Sequence, residues 1–453
     1  MTHSPQSLPA PFPPGPTARW PGQLLLQFHR TPLEFLTRLA RHYGDIVHFR
    51  SGRLDYFLLN HPDHIHDILV THADQFTKGP ALHRAELTLG QGLLTSEGDL
   101  HKRQRKLMQP VFHAQRVSAY AFAMVEHARR LRDHWHPGLI LDIHEHMMQL
   151  ALRIVADALF GTDIEPQVKQ IGQAMTASVK MFTRALMPWG PLIALLPLPA
   201  NLRYWHARRY LHQTIDQMIR HRHLMENTLE SPPRPDLLSR LLHARDDGTG
   251  MTDTQLRDEA ITIFTAGHET TANALTFAWY LLAANPNARE ALEAELDTVL
   301  ANRLPTADDI PRLRYTRAVL AESMRLYPPA WTVGRRAIAP VTVGGCQLPP
   351  GSVVLMSQWV VHHDPRYWPN PECFIPDRWL TDAAPRPKYA YFPFGGGPRQ
   401  CIGEPFAWLE ATLVLATLSQ RWRLNRLDDH PLPLEPTITL RPRDPLRMLI
   451  TPR

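Results

Sequence analysis

Apolar positions divide the chain unevenly. From Asp99 to about Arg245 they recur at three- and four-residue spacing, the period of amphipathic helices, with breaks at Pro137-Gly138 and Pro232–Pro235. Upstream, "PLEFLTRLARHYGDIVHFR" reads as a short helix, a Tyr-Gly-Asp turn and a strand, and "DYFLLNHPDHIHDILV" as strand, proline turn and helix. The longest periodic run opens at "TDTQ", where Thr252 and Gln255 have capping-box spacing, and it continues to Pro286. Such a run predicts a helix of about 33 residues, roughly 50 Å long, passing through the middle of the protein. Its successor, "PNAREALEAELDTVLAN", is amphipathic with an acidic face. After Pro328 the texture changes. "RRAIAPVTVGG" and "SVVLMSQWVV" read as strands, a proline-laden stretch follows, and "LRPRDPLRMLITPR" predicts a last hairpin strand. The expected class is therefore mainly α with a smaller β part (α+β).

That order lacks the alternating βαβ rhythm of a nucleotide-binding sheet. It also lacks a G-x-G-x-x-G after a strand and a phosphate-binding G-x-x-x-x-G-K-[ST]. Hydrophobic residues make up 44% of the 453 positions and charged residues 20%, a balance that supports a large core and argues against disorder. The excess of 49 basic over 43 acidic residues is +6. Spread over this length, it fits a basic face for an acidic protein partner better than a nucleic-acid binder. Three cysteines do not make a disulfide framework, and the first 20 residues have neither a charged nor an apolar leader pattern. No run approaches the ~20 apolar residues of a membrane span. The expectation is a soluble, cytoplasmic chain: a Pro-rich, poorly ordered lead-in over 1–20, then one catalytic domain over 21–453.

The chemistry concentrates around Cys401. Three glycines and a proline (Gly395 to Pro398) lead to it, and an apolar helix pattern follows. A thiolate at a helix N-terminus is stabilised by backbone N–H groups and the helix dipole, and glycines let backbone approach a bulky object. Zinc would want about four ligands, and no C-x-x-C spacing is near. The residues alone leave three readings open: a soft ligand offered to a metal from one side, a nucleophile awaiting a histidine, or an inert buried thiol. Cys346 and Cys373 have no such loop and read as bland.

The stretch "FGGGPRQCIG" resembles the F-x-x-G-x-R-x-C-x-G signature of the cytochrome P-450 superfamily, with Phe394, Gly397, Arg399, Cys401 and Gly403 in register. The resemblance implies that Cys401 is the axial thiolate of the iron in heme b (iron protoporphyrin IX), with O2 as co-substrate. It implies a fold with heme between the long central helix and the cysteine loop, and it adds Gly395 and Ala407 to the cofactor-binding candidates. Three more segments agree. "TAGHETT" resembles the oxygen-activation motif, carried by Ala266, Gly267, Glu269 and Thr270. Gly267 is expected to clear space for a ligand. Thr270 is expected to bond back to a carbonyl one turn earlier and loosen the helix there. By themselves Glu269 and Thr270 also read as an exposed acid and a packed threonine. "AESMRLYPP" places Glu322 and Arg325 one turn apart. The resemblance joins them to Arg378 of "PDRW" in a structural network bracing the cysteine loop. "GDLHKRQRKLMQPVFH" resembles the helix whose aromatic and arginine hold a heme propionate. Here His101 replaces the usual Trp and Arg105 is in place, with Arg335 and Arg399 as further propionate candidates and Arg336 as the alternative to Arg335. Lys102, Arg103 and Lys106 are either a docking face for an electron donor or a solvated surface.

The function implied is a monooxygenase, working as a monomer with a separate ferredoxin and ferredoxin reductase, on a hydrophobic terpenoid, fatty acid or polyketide. By family position the pocket draws on Ala81 to Leu94, Met181 to Leu186, Phe264 to Thr270 and Trp331 to Val333, with Leu82, Phe182, Phe264, Trp331 and Val333 as its named candidates. The apolar stretch 186–202 is an access lid, a peripheral membrane contact or a packed connector. Two other classes fit the cysteine: a peroxygenase or rearrangement catalyst, and a heme sensor or carrier without turnover.

Overall fold

The computed structural model describes residues 12–161, 170–174, 177–178, 181, 196, 198–227, 236–380 and 386–453. Phe182 and most of the 186–202 stretch lie outside them. The chain divides into two compact units.

Unit 1 comprises Met1–Pro80, Trp331–Pro371 and Pro385–Gln400. Its centre is a five-stranded sheet in the order Ile46–Ser51, Leu54–Leu59, Val353–Met356, Val333–Ala337, Phe76–Lys78. All neighbours are antiparallel except the second and third, which run parallel from Tyr56↔Val353 to Leu59↔Met356. Phe57, Ile65, Leu69, Phe76, Val354 and Phe392 belong to its apolar core. The expected helix–turn–strand start is present as helix Pro32–Tyr43 and strand Ile46–Ser51. "SVVLMSQWVV" is a strand only as far as Met356. The Ser357 hydroxyl then accepts from the Val360 N–H and starts a helix, Gln358–His362. A serine N-cap thus overrides the β-branched composition beyond it.

Unit 2 comprises Ala81–Ala330, Glu372–Ala384 and Cys401–Arg453. It is built around the helix Asp253–Ala284, called the central helix below. Its capping box is complete: the Thr252 hydroxyl accepts from the Gln255 N–H at 3.2 Å, and the Gln255 side-chain Oε1 accepts from the Thr252 N–H at 3.0 Å. The helix ends at Asn285, where Pro286 opens the next one. Most of its residues are buried, and it packs against Ile143–Phe160, Pro199–Asn227, Arg314–Leu326 and Glu404–Ser419. Even two of its acids face inward: Asp258 accepts from the Gln91 N–H and Glu259 from the Leu93 N–H, both at 2.9 Å. The last strand, Arg447–Pro452, is the middle of a three-stranded sheet between Ile140–Asp142 and Trp422–Arg426. It is therefore not one arm of a terminal hairpin. That hairpin is Leu434–Pro436 with Leu440–Pro442.

Candidate active site

The glycine run does two different jobs. Gly396 has extended backbone, and a Cβ there would fall 2.5 Å from the Tyr389 ring. Gly397 is left-handed, φ 67°, and a Cβ there would lie 1.8 Å from the Leu69 carbonyl oxygen. Both glycines seat the loop on unit 1 itself. Only Gly395, φ 71°, has nothing within 4 Å of its missing Cβ. The expectation that the whole run clears space for a bulky object is thus corrected to one residue of the three.

Cys401 opens unit 2 three positions before the helix Glu404–Ser419. Its side chain is exposed, yet protein encloses it at longer range, and this desolvation pushes the thiol up to about 11. The N–H groups of Gly403 and Glu404, together with the Arg105 guanidinium, pull the other way without prevailing. A thiolate here needs a further positive charge close by, which a bound metal ion supplies by deprotonating its thiol ligand outright. The donor set fits a metal offered one soft ligand.

A second opening lies on the central helix. Within its buried length, Ala266 is exposed and Thr265, Gly267 and Thr270 are half-buried, a strip one turn long. The Thr270 hydroxyl donates to the Ala266 carbonyl at 2.6 Å, the expected back-bond, while the helix stays α-helical throughout. A Cβ on Gly267 would lie 3.1 Å from Val155 Cγ2. Its missing side chain lets the helix Ile143–Phe160 pack closely on that side. Phe264 packs in the core against Phe160, ring centroids 5.4 Å apart, away from the open strip. Glu269 is buried and accepts from the Thr439 hydroxyl at 2.6 Å.

A family model described as Cytochrome P450 matches residues 13–450. The chain belongs to the cytochrome P450 family. Among its relatives, cyclooctatin synthase of Streptomyces melanosporofaciens is 41% identical over 96% of this chain and 95% of its own. Cyclooctat-9-en-7-ol 5-monooxygenase of the same organism is 38% identical over 91% and 90%. Pentalenene oxygenase of Streptomyces avermitilis is 35% identical over 92% and 90%. The chain is accordingly a P450 monooxygenase of α+β fold, using heme b and O2 on a hydrophobic substrate. Among the described residues no helix is long and apolar enough to cross a membrane.

The remaining P450 motifs fall as follows. Glu322 and Arg325 are fully buried. Arg325 donates to Glu322 through Nε at 3.0 Å and Nη2 at 2.8 Å, and Arg378 Nε adds a bond at 2.9 Å. Two further donors were not legible beforehand: the Trp379 indole N–H at 2.8 Å and the Ile375 backbone N–H at 3.1 Å. Arg325 Nη2 also reaches the Cys373 carbonyl at 3.0 Å. The network ties helix Arg314–Leu326 to the 373–379 segment.

His101 is buried and Arg105 half-buried on the helix Gly98–Met108. Burial lowers the Arg105 pKa, and Cys401 opposes that shift. In unit 1, strand alternation buries Arg335 and exposes Arg336. Arg399, half-buried, has Nη2 3.5 Å from the Phe76 carbonyl. Phe394, Gly403 and Ala407 are half-buried. Of the pocket candidates, Leu82 and Val333 are half-buried, while Trp331 is buried in unit 1 near Phe28. The basic face is engaged by its own unit. Arg103 donates to Thr249 Oγ1 at 2.9 Å and the Gly250 carbonyl at 2.8 Å, Lys106 pairs with Asp246, and exposed Lys102 pairs with Asp99 at 3.2 Å.

Proposed function

We propose that this P450 oxygenates a terpenoid alkene or alkenol, with electrons from a ferredoxin and its reductase. The names of two relatives specify an alkene and an alkenol as what those enzymes act on, which supports the narrower class. The single observation that carries the site reading is an exposed cysteine ahead of a helix together with a break in the burial of the central helix at Thr265–Gly267 and Thr270.

When bound, heme supplies the iron at which dioxygen is held and activated. Cys401 is the thiolate ligand, and its two backbone N–H donors moderate the negative charge on sulfur. By the family's pattern, Arg105 and His101 of unit 2 would be propionate partners, as would Arg335 and Arg399 of unit 1. Phe394 and Gly395 in the ligand loop, and Gly403 and Ala407 at the start of the following helix, would pack against the cofactor. Ala266, lacking bulk, leaves room for small molecules beside the helix. Thr270 holds a hydroxyl proton at Oγ1, and Glu269 is the acid–base group that takes up a proton and relays it there. Leu82 and Val333 give the substrate apolar contact.

Cys401→Ser is expected to lose the thiolate-type carbon-monoxide spectrum of the reduced protein and all turnover. A normal spectrum in that variant removes Cys401 as the ligand. Oxygen-18 gas, with surrogate ferredoxin and a ring terpene alkene, is expected to label the product. Unlabelled product excludes monooxygenation.

A further inference from the structure

Glu269 and Thr270 are adjacent in sequence, yet their polar groups are committed in different directions. Thr270 gives its proton to the Ala266 carbonyl. The Glu269 carboxylate is turned to the C-terminal hairpin, where Thr439 Oγ1 donates to its Oε1 at 2.6 Å. Behind that hydroxyl stands a directed chain. Asn273 Nδ2 donates to Thr439 Oγ1 at 3.3 Å, and His144 Nε2 donates to Asn273 Oδ1 at 3.0 Å. Every donor points towards Glu269, and successive bonds of this kind polarise one another. Asn273 Oδ1 can only accept, so His144 enters the chain as a donor; burial pushes its imidazole down. Arg441 is the nearest cation to the carboxylate, but at 3.9 Å. Its Nε and Nη2 are both held by Glu435 at 2.8 Å. The short bond to Glu269 is therefore the hydroxyl's.

Three elements of unit 2 converge here: the central helix with Glu269 and Asn273, the Ile143–Phe160 helix with His144, and the hairpin with Thr439. The hairpin is the weakest of them. It has two strands of three residues, Leu434–Pro436 and Leu440–Pro442, and a turn carrying Ile438, which is 37% exposed. Two strands alone are marginally stable in water. A backbone bond from Leu440 N–H to the Pro329 carbonyl at 2.9 Å tethers it.

We propose that Thr439, backed by Asn273 and His144, is a positioning residue that parks the Glu269 carboxylate on the C-terminal hairpin and thereby governs how efficiently electrons are turned into product. The proposal rests on the reading that Glu269 and Thr270 handle the protons of the reaction. It makes the hairpin, more than 160 residues downstream of the acid, part of the proton-handling apparatus.

The test uses the heme-loaded enzyme with a surrogate ferredoxin system. Two quantities are read: product formed per NADPH consumed, and the infrared carboxylate band that disappears in Glu269→Gln. Thr439→Val removes the hydroxyl and keeps the shape; Thr439→Ser keeps the hydroxyl. Thr439→Val is expected to lower product per NADPH by roughly threefold to tenfold, the scale of one hydrogen bond. It should also shift the band, with substrate-binding spectra unchanged, and Thr439→Ser restores both readouts. Wild-type coupling and an unmoved band in Thr439→Val overturn the proposal, as does a Ser variant as impaired as Val. In a Glu269→Gln background Thr439→Val should add nothing; a further loss counts against it. If Thr439→Val is recovered poorly, Asn273→Ala gives a second route, with a smaller change of the same sign supporting the proposal and no change opposing it. The underlying reading fails separately, if Glu269→Gln alone leaves coupling intact.

Discussion

Two buried glutamates in unit 2 are held in opposite ways. Glu322 receives five hydrogen bonds, three of them from guanidinium groups, and is fully enclosed. Glu269 receives one short bond from a neutral hydroxyl, with its nearest cation at 3.9 Å. A buried carboxylate with every lone pair used has nowhere to go, and moving it leaves several charges unpaired. A carboxylate held by one hydroxyl on a two-stranded hairpin can be released for the loss of a single bond. The first arrangement suits a brace and the second suits a group that must exchange protons. Burial alone does not separate these roles; the number and charge of the donors does.

The contrast can be broken by measuring stability at both sites. Glu322→Ala strands Arg325 and Arg378 and should cost about 3–5 kcal/mol in denaturant unfolding, enough to deplete folded protein. Trp379→Phe removes one neutral donor of the five and should cost about 1 kcal/mol, with activity retained in what folds. Glu269→Gln keeps an acceptor for Thr439 and should cost less than about 1 kcal/mol while lowering product per electron. The comparison collapses if Glu269→Gln destabilises the protein as much as Glu322→Ala.

Local signals were legible in the sequence and remote ones were not. Thr252 and Gln255, three residues apart, marked the start of the central helix to the residue, because a capping box is closed by neighbours. Glu322 and Arg325 were legible for the same reason, and the cysteine signature named the family. The partners of Glu269 were not. Thr439 is separated from it by 170 residues and His144 from Asn273 by 129, so only packing brings them together. Gly267 shows a subtler point. A glycine in a ligand motif reads as room for the ligand, and it also brings Val155 of another helix within 3.1 Å of where its Cβ would lie. Sequence reveals that a side chain is missing, and not what takes its place. The strand reading of "SVVLMSQWVV" failed because composition outweighed Ser357, whose capping role was present in the letters.

The glycine loop before Cys401 leaves its sequence little latitude. Gly396 and Gly397 are wedged against the Tyr389 ring and the Leu69 carbonyl. Even a methyl group at position 397 would meet a backbone oxygen, in a conformation that L-residues rarely adopt. An alanine there must push the backbone ahead of the sulfur off its seat, so a change too small to alter polarity or charge is one the loop cannot absorb.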